Sequence, residues 1–455
     1  LTYFKLKGDC LLMEIKQVVP EELLTSNAHE LEPGQAELIG YAKSTKDVSS
    51  FMKKANEAGK KVITIGAHTG LTGATYPHKD EWFLSLAEMT DIISLDKETL
   101  TLNVQAGVTL AQIRDYLADT PYFYAPDPGE KSATIGGTVG TNAGGMRAIK
   151  YGVTRDNVRG YDVVLANGDI IHAGSLNQKN SSGYDLKDLF IGSEGTLGVI
   201  TELQLKLTTR PRFESSMLVG FEKLDDLAPT VYEILNSPVE PVALELLEKN
   251  SVGYAEDYLQ VKMPKQEGAA FLLLTLNSND EKALNRELDE VRSIVNSAGA
   301  LNIRDIDEKE AKLVWNIRDH ILTGIYAAAT TKMYDPVVPT RYVPDLIIQS
   351  KKYADEMGIS SAFFGHAGDG NIHICVLQED YEDVQWKKML VEYEQKLYPF
   401  IAELGGLPSA EHGIGLEKKE YLSHFYSKEY MNTLKAIKKA LDPKNVLNPN
   451  RIFDL

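Results

Sequence analysis

The sequence predicts an α+β protein built from two large parts. Strand-like and helical stretches mix up to about Arg210-Pro211, with glycine-rich loops between them. From Phe213 to about Ser350 glycine is sparse, and helical spacing alternates with strand-like runs such as Ala270–Leu276. This second pattern is typical of an antiparallel sheet covered by helices. With 455 residues, the chain is long enough for two or three domains with ample core.

The elements of the first part follow from caps, breakers and periodicity. Ser44 or Thr45 can cap an amphipathic helix that ends at Gly59. Further along, the patterns predict a buried strand at Val62–Ile65, a hairpin of Ile92–Leu95 with Leu100–Gln105, a helix from Thr109 through Leu117, a hairpin around Asn167-Gly168 and a strand at Gly198–Leu207.

The ends of the chain and the second part have their own signals. Residues 1–36 predict a short helical extension, broken at Pro33-Gly34. In the second part, Glu281–Ala298 has helical spacing. Residues 416–455 are predicted to be helical until Leu441-Asp442-Pro443, after which an Asn/Pro-rich tail closes the chain.

Composition restricts the possible partners. The net charge of −17 disfavours nucleic acid and anionic membranes, and it permits docking to a basic protein surface. No apolar run approaches the ~20 residues of a transmembrane helix, and Leu1–Gln17 lacks a signal-peptide core. The two cysteines, Cys10 and Cys375, are too few for an iron–sulfur cluster and fit a reducing cytoplasm. We therefore expect a cytoplasmic protein without a transmembrane segment.

The most informative residues lie between positions 360 and 415. Ser360–Gln378 reads SSAFFGHAGDGNIHICVLQ, and Glu411-His412-Gly413-Ile414-Gly415 follows further on. Apolar runs flank Ala367–Asn371, which predicts a strand, a tight turn and a second strand. We expect this hairpin to be the last strand pair of the second part and to bring His366 and His373 together across its mouth.

Two imidazoles and a carboxylate suit an open metal site. His366, His373 and Glu411 could hold a borderline divalent ion such as Zn²⁺ or Fe²⁺ and leave positions for a substrate oxygen. His412, next to Glu411, could then act as a base. The residues alone leave open an alternative, a hydrogen-bonded structural corner, because the glutamate is remote in sequence.

Three glycine clusters lie in the first part of the chain. They are IGAHTGLTGA at Ile65–Ala74, PDPGEKSATIGGTVGTNAGG at Pro126–Gly145 and IGSEGTLGVI at Ile191–Ile200. Backbone N–H groups of such loops can cradle phosphate. None of the clusters is a Walker A motif or a GxGxxG loop with a downstream acid, so a nicotinamide cofactor is not supported. One cluster alone fits an ordinary loop, whereas three favour a large ligand with a pyrophosphate.

These clusters, together with KYGVTRDNVRGYDVVLANGD, resemble the FAD-binding domain of the vanillyl-alcohol oxidase (PCMH) type. The motifs GHAGDGNIH, EHGIG and LDPKNVLNPNRI are similar to C-terminal signatures of its D-2-hydroxyacid dehydrogenase branch. That branch includes D-lactate dehydrogenases and glycolate oxidase catalytic subunits. The resemblance covers roughly Glu37 to Arg451, and the motifs occur in the family's order.

The resemblance implies a two-part PCMH-type FAD-binding domain plus a substrate (cap) domain, with a C-terminal helical tail that returns to the flavin. The predicted domains are an N-terminal helical extension at 1–36, the FAD-binding domain at 37–211, the cap domain at 212–410 and a C-terminal segment completing the active site at 411–455.

The resemblance also implies cofactor contacts. The loop expected to wrap the FAD pyrophosphate consists of Gly66, Ala67, His68, Thr69, Gly70 and Leu71. The residues expected along the isoalloxazine and ribityl chain are Pro126, Thr134, Gly136, Gly137, Asn142, Gly144 and Gly145. The residues expected at the adenine half are Gly195, Thr196 and Ile200.

For the chemistry itself, the resemblance assigns His366, His373 and Glu411 as metal ligands and His412 as the catalytic base. It further implies that Arg318 and Lys332 hold the substrate carboxylate and that Asn371 makes one polar contact.

Two loop residues depart from the family pattern. His68 stands where glycine is usual, and Ala74 replaces the second glycine of a usual pair. A covalent histidyl flavin at His68 and a simple phosphate or ring contact are the two hypotheses. We prefer the contact, because the alignment of a loop is weak evidence for a bond.

The implied reaction is the FAD- and metal-dependent oxidation of a small D-2-hydroxy acid, with lactate favoured, to the 2-oxo acid. Hydride passes to flavin N5, and electrons pass to an external acceptor such as an electron-transferring flavoprotein. We expect a homo-oligomer or a hetero-complex. The alternatives are a glycolate oxidase subunit of a larger complex, a non-redox FAD-containing transferase of the alkyl-dihydroxyacetonephosphate synthase type, and an electron-transfer subunit with a degenerate site.

Overall fold

The computed structural model describes residues 13–25 and 33–455. The chain divides into two compact units. The first unit comprises Leu1–Gly144, Gly152–Arg210 and Glu411–Leu455, and the second comprises Gly145–Tyr151 and Pro211–Ala410. Strands and helices occur in both, as the predicted α+β class requires. Within the described residues, no helix combines the length and the apolar character that spanning a membrane requires.

A four-stranded sheet opens the first unit. Its elements are β1 (Glu14–Lys16), β2 (Ala36–Tyr41), α1 (Thr45–Ala58), β3 (Val62–Ile65) and β4 (Glu81–Ser85), and the strand order is β1-β2-β4-β3. The pairs β2–β4 and β3–β4 are parallel. The Ser44 side chain accepts from the backbone of Asp47 at the start of α1, and Gly59 ends the helix with φ 67°.

The first unit also contains a five-stranded antiparallel sheet, in the order β5-β6-β10-β8-β9, and a two-stranded sheet of β7 and β11. The remaining elements of this unit are β5 (Ile92–Asp96), β6 (Thr101–Gln105), α2 (Leu110–Tyr116), β7 (Tyr122–Phe123), α3 (Ile135–Thr141), β8 (Val158–Val164), β9 (Ile170–Gly174), α5 (Leu186–Phe190), β10 (Val199–Lys206), β11 (Thr208–Thr209) and α13 (Lys428–Leu441). The buried face of α1 packs against this sheet, and each large apolar side chain buried there stabilises the fold by about 1.5–3 kcal/mol.

The second unit is built on one seven-stranded antiparallel sheet. Its strand order is β15-β12-β14-β13-β17-β18-β16. The elements are α4 (Ala148–Tyr151), β12 (Phe213–Phe221), α6 (Leu224–Leu235), β13 (Ala243–Glu248), α7 (Lys249–Leu259), β14 (Ala270–Ser278), α8 (Glu281–Ser297), β15 (Asn302–Ile306), α9 (Glu308–Asp319), α10 (Ile321–Ala328), β16 (Thr331–Tyr334), α11 (Val343–Glu356), β17 (Ser360–His366), β18 (Asn371–Leu377) and α12 (Asp383–Glu403). Helices α6, α8 and α11 pack against the strands, as predicted for a helix-covered sheet.

Local patterns located most elements of the first unit, and the ends of the chain differ. Residues 13–25 contain β1 and a short 3-10 turn at Glu21–Leu23 where the sequence predicted helix. Residues 1–12 and 26–32 of that predicted extension, including Cys10, lie outside the described residues. In the tail, a 3-10 helix at Lys419–His424 precedes α13, so only part of the predicted helical stretch is α-helical.

Candidate functional site

The hairpin of β17 and β18 places both of its histidines on one face of the sheet. His366 pairs with Asn371 and Phe364 pairs with His373, so side chains at these positions share a face. The two imidazole centroids lie 5.4 Å apart, and both rings are buried. A Cβ at Gly370 would lie 1.9 Å from the Val338 carbonyl oxygen, and φ there is 86°, so glycine is needed to close the turn.

A buried glutamate and an arginine surround His366. Glu245 on β13 is the register partner of His366, and its Oε1 lies 2.7 Å from the ring Nδ1. Arg318, near the end of α9, donates from Nε to Glu245 Oε2 at 2.6 Å. Arg318 Nη2 lies 3.1 Å from His366 Nδ1 and 3.2 Å from Nε2, which places the guanidinium over the ring face.

The neighbours of Glu245 determine the direction in which its pKa shifts. Burial alone would raise the pKa of Glu245, but Arg318 and His366 together hold that pKa below its usual range. The side chains of Glu245, Arg318 and His366 are all nearly inaccessible to solvent. The cluster therefore combines a buried carboxylate anion, a buried guanidinium and an imidazole.

A second buried carboxylate lies beside the other histidine. Asp335 follows β16 directly, is fully buried, and its Oδ1 lies 3.7 Å from His373 Nδ1. Asn371 Nδ2 donates to Asp335 Oδ1 at 2.9 Å. Asp335 Oδ2 accepts from Ser409 Oγ at 2.9 Å and from the Ala410 amide at 3.1 Å. Asp335 thus joins β18 to the segment that leads into Glu411.

Lys332 lies on the opposite face of this sheet. It pairs with Val376, whereas the histidine face of β18 continues from His373 to Cys375, the partner of Met333. Tyr334 shares the face of Lys332, and its hydroxyl donates to Glu394 of α12 at 3.1 Å. By strand alternation Lys332 lies on the face opposite the histidines, and Met333 takes the position on the histidine face. The expected contact of Lys332 with a substrate carboxylate stays a prediction.

The loop that carries Glu411 and His412 is anchored within the first unit. Glu194 Oε1 accepts from the Ile414 amide at 2.7 Å, and Oε2 accepts from the Gly415 amide at 2.8 Å. Burial raises the pKa of Glu194, although these two amide donors oppose the shift. Glu194 itself has a left-handed φ of 51°. His412 Nε2 lies 3.9 Å from Glu411 Oε2.

Among the described residues, His366, His373 and Glu411 form the group of His, Cys, Asp and Glu side chains that could hold a metal ion. Glu411 follows Ala410 directly, and Ala410 is held by Asp335. Within the described part of the chain, the buried Asn371 Oδ1 on the same sheet face accepts no hydrogen bond. Two buried imidazoles, one carboxylate and a nearby amide oxygen fit a borderline divalent ion and a polar ligand.

Two of the glycine clusters form a cradle of closely approaching backbone in the first unit. A Cβ at Gly66 would lie 2.2 Å from Thr134 Oγ1, and a Cβ at Gly136 would lie 2.8 Å from that of Ala106. Thr134 caps α3 by accepting from the Gly137 amide. A Cβ at Gly144 would lie 2.8 Å from Glu411 Oε1. These glycines allow neighbouring parts of the unit to approach closely. A Cβ at Gly70 or Gly140 would have nothing within 4 Å, so the backbone there is open to an extended ligand such as FAD.

The other expected cofactor residues lie on the same unit, with one exception. Ala67, Thr69, Gly70 and Leu71 continue the loop after β3, Pro126 follows β7, Asn142 ends α3 with φ 54°, and Gly195, Thr196 and Ile200 lead into and join β10. Gly145 begins the short segment that belongs to the second unit.

His68 has both ring nitrogens in protein contacts. Nε2 lies 3.0 Å from the Thr25 carbonyl oxygen, and Nδ1 lies 3.0 Å from Thr75 Oγ1. Burial lowers the pKa of His68, which favours the neutral ring. Because a histidyl–flavin bond would replace one of these contacts, the geometry favours the noncovalent alternative.

Sequence reasoning did not identify three residues that organise the site, Glu245, Asp335 and Glu194. Each is buried, and each carboxylate is hydrogen-bonded to groups around the candidate site residues. Glu245 stands between leucines in the run ALELLE, where a buried carboxylate is unusual enough to have served as a signal. Asp335 stands in an ordinary loop context, and Glu194 stands inside the glycine cluster Ile191–Ile200, where the pattern pointed to the glycines and not to the carboxylate.

Comparison with known proteins identifies the family. Residues 210–452 match the model of the C-terminal domain of FAD linked oxidases, and residues 36–174 match that of an FAD binding domain. The chain is 36% identical over 459 residues to a D-lactate dehydrogenase of Anaerostipes hadrus, with 97% of each chain covered. It is 34% identical to the glycolate oxidase subunit GlcD of Bacillus subtilis, with 90% of this chain and 87% of that one covered.

A solved structure gives the same fold. Substrate-bound p-cresol methylhydroxylase aligns with a TM-score of 0.80 at 18% identity, covering 95% of this chain and 92% of that one. The chain therefore belongs to the FAD-linked oxidases, and it is an FAD-dependent dehydrogenase with the PCMH-type architecture. The resemblance drawn from the motifs is confirmed.

Proposed function

We propose that this protein oxidises a small D-2-hydroxy acid, lactate foremost, to the 2-oxo acid with FAD and a divalent ion, Zn²⁺ or Fe²⁺. The observation that carries the proposal is the buried sheet face of His366 and His373, with Arg318 of α9 in contact with His366. Arg318 supplies a cation that can bind a substrate carboxylate, and the two imidazoles can bind a metal ion. The relative of Anaerostipes hadrus, named a D-lactate dehydrogenase, supports this substrate class.

A few side chains would bind the substrate and the metal ion and accept the hydroxyl proton of the substrate. Since Arg318 Nε donates to Glu245, the guanidinium would bind the substrate carboxylate through its Nη groups. His366, His373 and Glu411 would hold the ion, which when bound acts as a Lewis acid on the hydroxyl. His412 accepts the hydroxyl proton at a ring nitrogen. Asn371 Oδ1 offers a further acceptor on the histidine face.

The flavin contacts are part of the proposal. When bound, FAD supplies the hydride acceptor. The loop Gly66–Leu71 would hold its pyrophosphate, Pro126 and the residues of Thr134–Gly145 its ring and ribityl chain, and Gly195, Thr196 and Ile200 its adenine half. We infer noncovalent binding from the two contacts of His68, so acid precipitation should release the flavin into solution.

The electrons must leave the reduced flavin for an external acceptor. We infer a protein acceptor, of which an electron-transferring flavoprotein is one candidate, because the net charge of −17 suits docking to a basic surface. Assembly as a homo-oligomer or hetero-complex belongs to the same proposal. The buried thiol of Cys375 fits a reducing compartment such as the cytoplasm.

The test is an anaerobic titration of the purified flavoprotein with D-lactate, followed by flavin absorbance and repeated after metal removal. Bleaching that disappears without metal is the expected result. Bleaching that persists without metal would reduce the histidine pair to a structural role. Absence of bleaching with any small 2-hydroxy acid would contradict the dehydrogenase and favour a non-redox use of FAD.

A further inference from the structure

Glu245 contacts two of the residues on which the proposed chemistry of the second unit depends, His366 and Arg318. We propose that Glu245 is a positioning residue that fixes the ring tautomer of His366 and the orientation of Arg318. In this way it couples metal binding to the binding of the substrate carboxylate. The inference rests on the proposed function, since it takes His366 as a metal ligand and Arg318 as the carboxylate contact.

The two carboxylate oxygens of Glu245 contact different residues. Oε1 lies 2.7 Å from His366 Nδ1, and Oε2 accepts from Arg318 Nε at 2.6 Å. An ionised carboxylate only accepts hydrogen bonds, so Nδ1 must carry the ring proton. His366 Nε2 then has its lone pair available in the form that a metal requires.

A purely structural ion pair is the competing explanation. Buried ion pairs contribute little net stability compared with apolar residues of similar volume, so stability alone gives a weak reason for a glutamate inside ALELLE. An ion pair between Glu245 and Arg318 would also be complete without an imidazole on the second oxygen. The shared carboxylate with His366 is what indicates positioning.

The variant Glu245→Gln separates the two explanations at nearly constant volume. Arg318 has only donors, so it must face the amide oxygen of the new side chain. The amide NH₂ then faces His366 Nδ1, which has to accept, and the ring proton moves to Nε2. The variant therefore places the proton on the nitrogen that would bind the metal.

The experiment uses the flavin-loaded protein after removal of bound metal and measures its affinity for Zn²⁺. We expect E245Q to bind Zn²⁺ about 10- to 100-fold more weakly than the wild type. We also expect a higher KM for D-lactate at saturating Zn²⁺, because Arg318 loses its charged partner. The matched control is Glu248→Gln, a buried glutamate on the same strand, and its Zn²⁺ affinity should be unchanged.

A double variant tests the tautomer directly. In E245Q combined with Arg318→Leu, no donor fixes the amide, so its oxygen can turn to His366 Nδ1 and return the proton there. Zn²⁺ affinity should recover relative to E245Q alone, while the KM for D-lactate should stay high. A structural role predicts the opposite for affinity, because two core changes would compound.

The outcomes separate the two proposals. Wild-type Zn²⁺ affinity in a folded E245Q, with affinity lost in His373→Ala, would overturn the role of Glu245 and leave the metal site standing. A wild-type protein that binds no Zn²⁺ would overturn both. Should E245Q not fold, Glu245→Asp keeps the charge beside Arg318 but is one methylene too short to reach both partners. It should weaken Zn²⁺ or D-lactate binding, and wild-type values for both would refute the proposal.

Discussion

Single buried carboxylates organise the candidate site residues within each unit. Glu245 and Asp335 each lie beside one of the two histidines in the second unit. Glu194 holds the loop of Glu411 and His412 in the first unit. A buried charge is costly unless it is paired, and each of these three carboxylates is paired with a group that it orients.

His412 is the residue whose loss should affect chemistry and little else. We expect His412→Ala to lower the turnover of D-lactate by about 10²- to 10⁴-fold, the usual contribution of a general base. FAD and Zn²⁺ contents should be unchanged, because His412 is outside both proposed ligand sets. Steady-state kinetics, flavin absorbance and metal analysis provide the measurement.

The control for this prediction is His424→Ala, an exposed histidine in the same unit. It should keep wild-type turnover. If His412→Ala also retained full turnover, the base would have to be another group, and an electron-transfer role with a degenerate site would gain support.

At the scale of elements, Asp335 joins the end of β16 to β18 and to the 409–410 segment. Both carboxylate oxygens of Asp335 accept hydrogen bonds. The variant Asp335→Asn has only one acceptor oxygen, so its NH₂ group must face one of these donors. We expect a loss of about 1–3 kcal/mol in the free energy of unfolding, measured by denaturant titration.

The comparison for Asp335 is Asp305→Asn, which removes an exposed carboxylate bonded to Arg292. A surface pair of this kind contributes at most about 1 kcal/mol. Equal effects of the two variants would show that Asp335 has no special role in joining these elements.

Glu248 links β13 to β17 and should give stability an unusual dependence on pH. Its Oε2 accepts from the Phe363 amide at 3.1 Å, and Lys351 Nζ lies 4.0 Å from Oε1. Burial raises the pKa of Glu248, and nearby Asp355 adds to the shift while Lys351 and the amide oppose it. The folded state therefore holds this proton to higher pH than the unfolded state.

The sign of the effect follows from linkage. Between about pH 4.3, where an unfolded glutamate titrates, and the raised folded pKa, the unfolded state binds fewer protons, so stability falls as pH rises. Glu248→Gln removes this contribution while keeping an acceptor for Phe363. The stability of E248Q relative to wild type should increase with pH across this window. A difference that is flat in pH would show that Glu248 titrates normally.

Across the whole molecule, local patterns and the order of the motifs were enough to predict many elements and the histidine hairpin. The cap and stop of α1, the strand β3 and the histidine hairpin were predicted within a residue or two. Strand pairing over long separations was not predictable. Glu245 and His366 are paired across β13 and β17 although they are 121 positions apart in the sequence. The face on which Lys332 lies likewise depends on the pairing of β16 with β18. The N-terminal strand β1 also depends on pairing, with β2, which no local pattern reveals.

The two proposed cofactors depend on different stretches of the chain, which predicts how the protein responds to chelation. The glycine cradle belongs to the first unit, whereas both candidate metal histidines belong to the second, and only Glu411 of the proposed metal ligands lies in the first unit. Treatment with a chelator should remove Zn²⁺ or Fe²⁺ and abolish bleaching by D-lactate, yet leave the ratio of FAD to protein unchanged. Metal analysis and flavin absorbance on the same sample measure both quantities. Release of FAD together with the metal would contradict separate binding and would mean that the ion also holds the flavin loops in place.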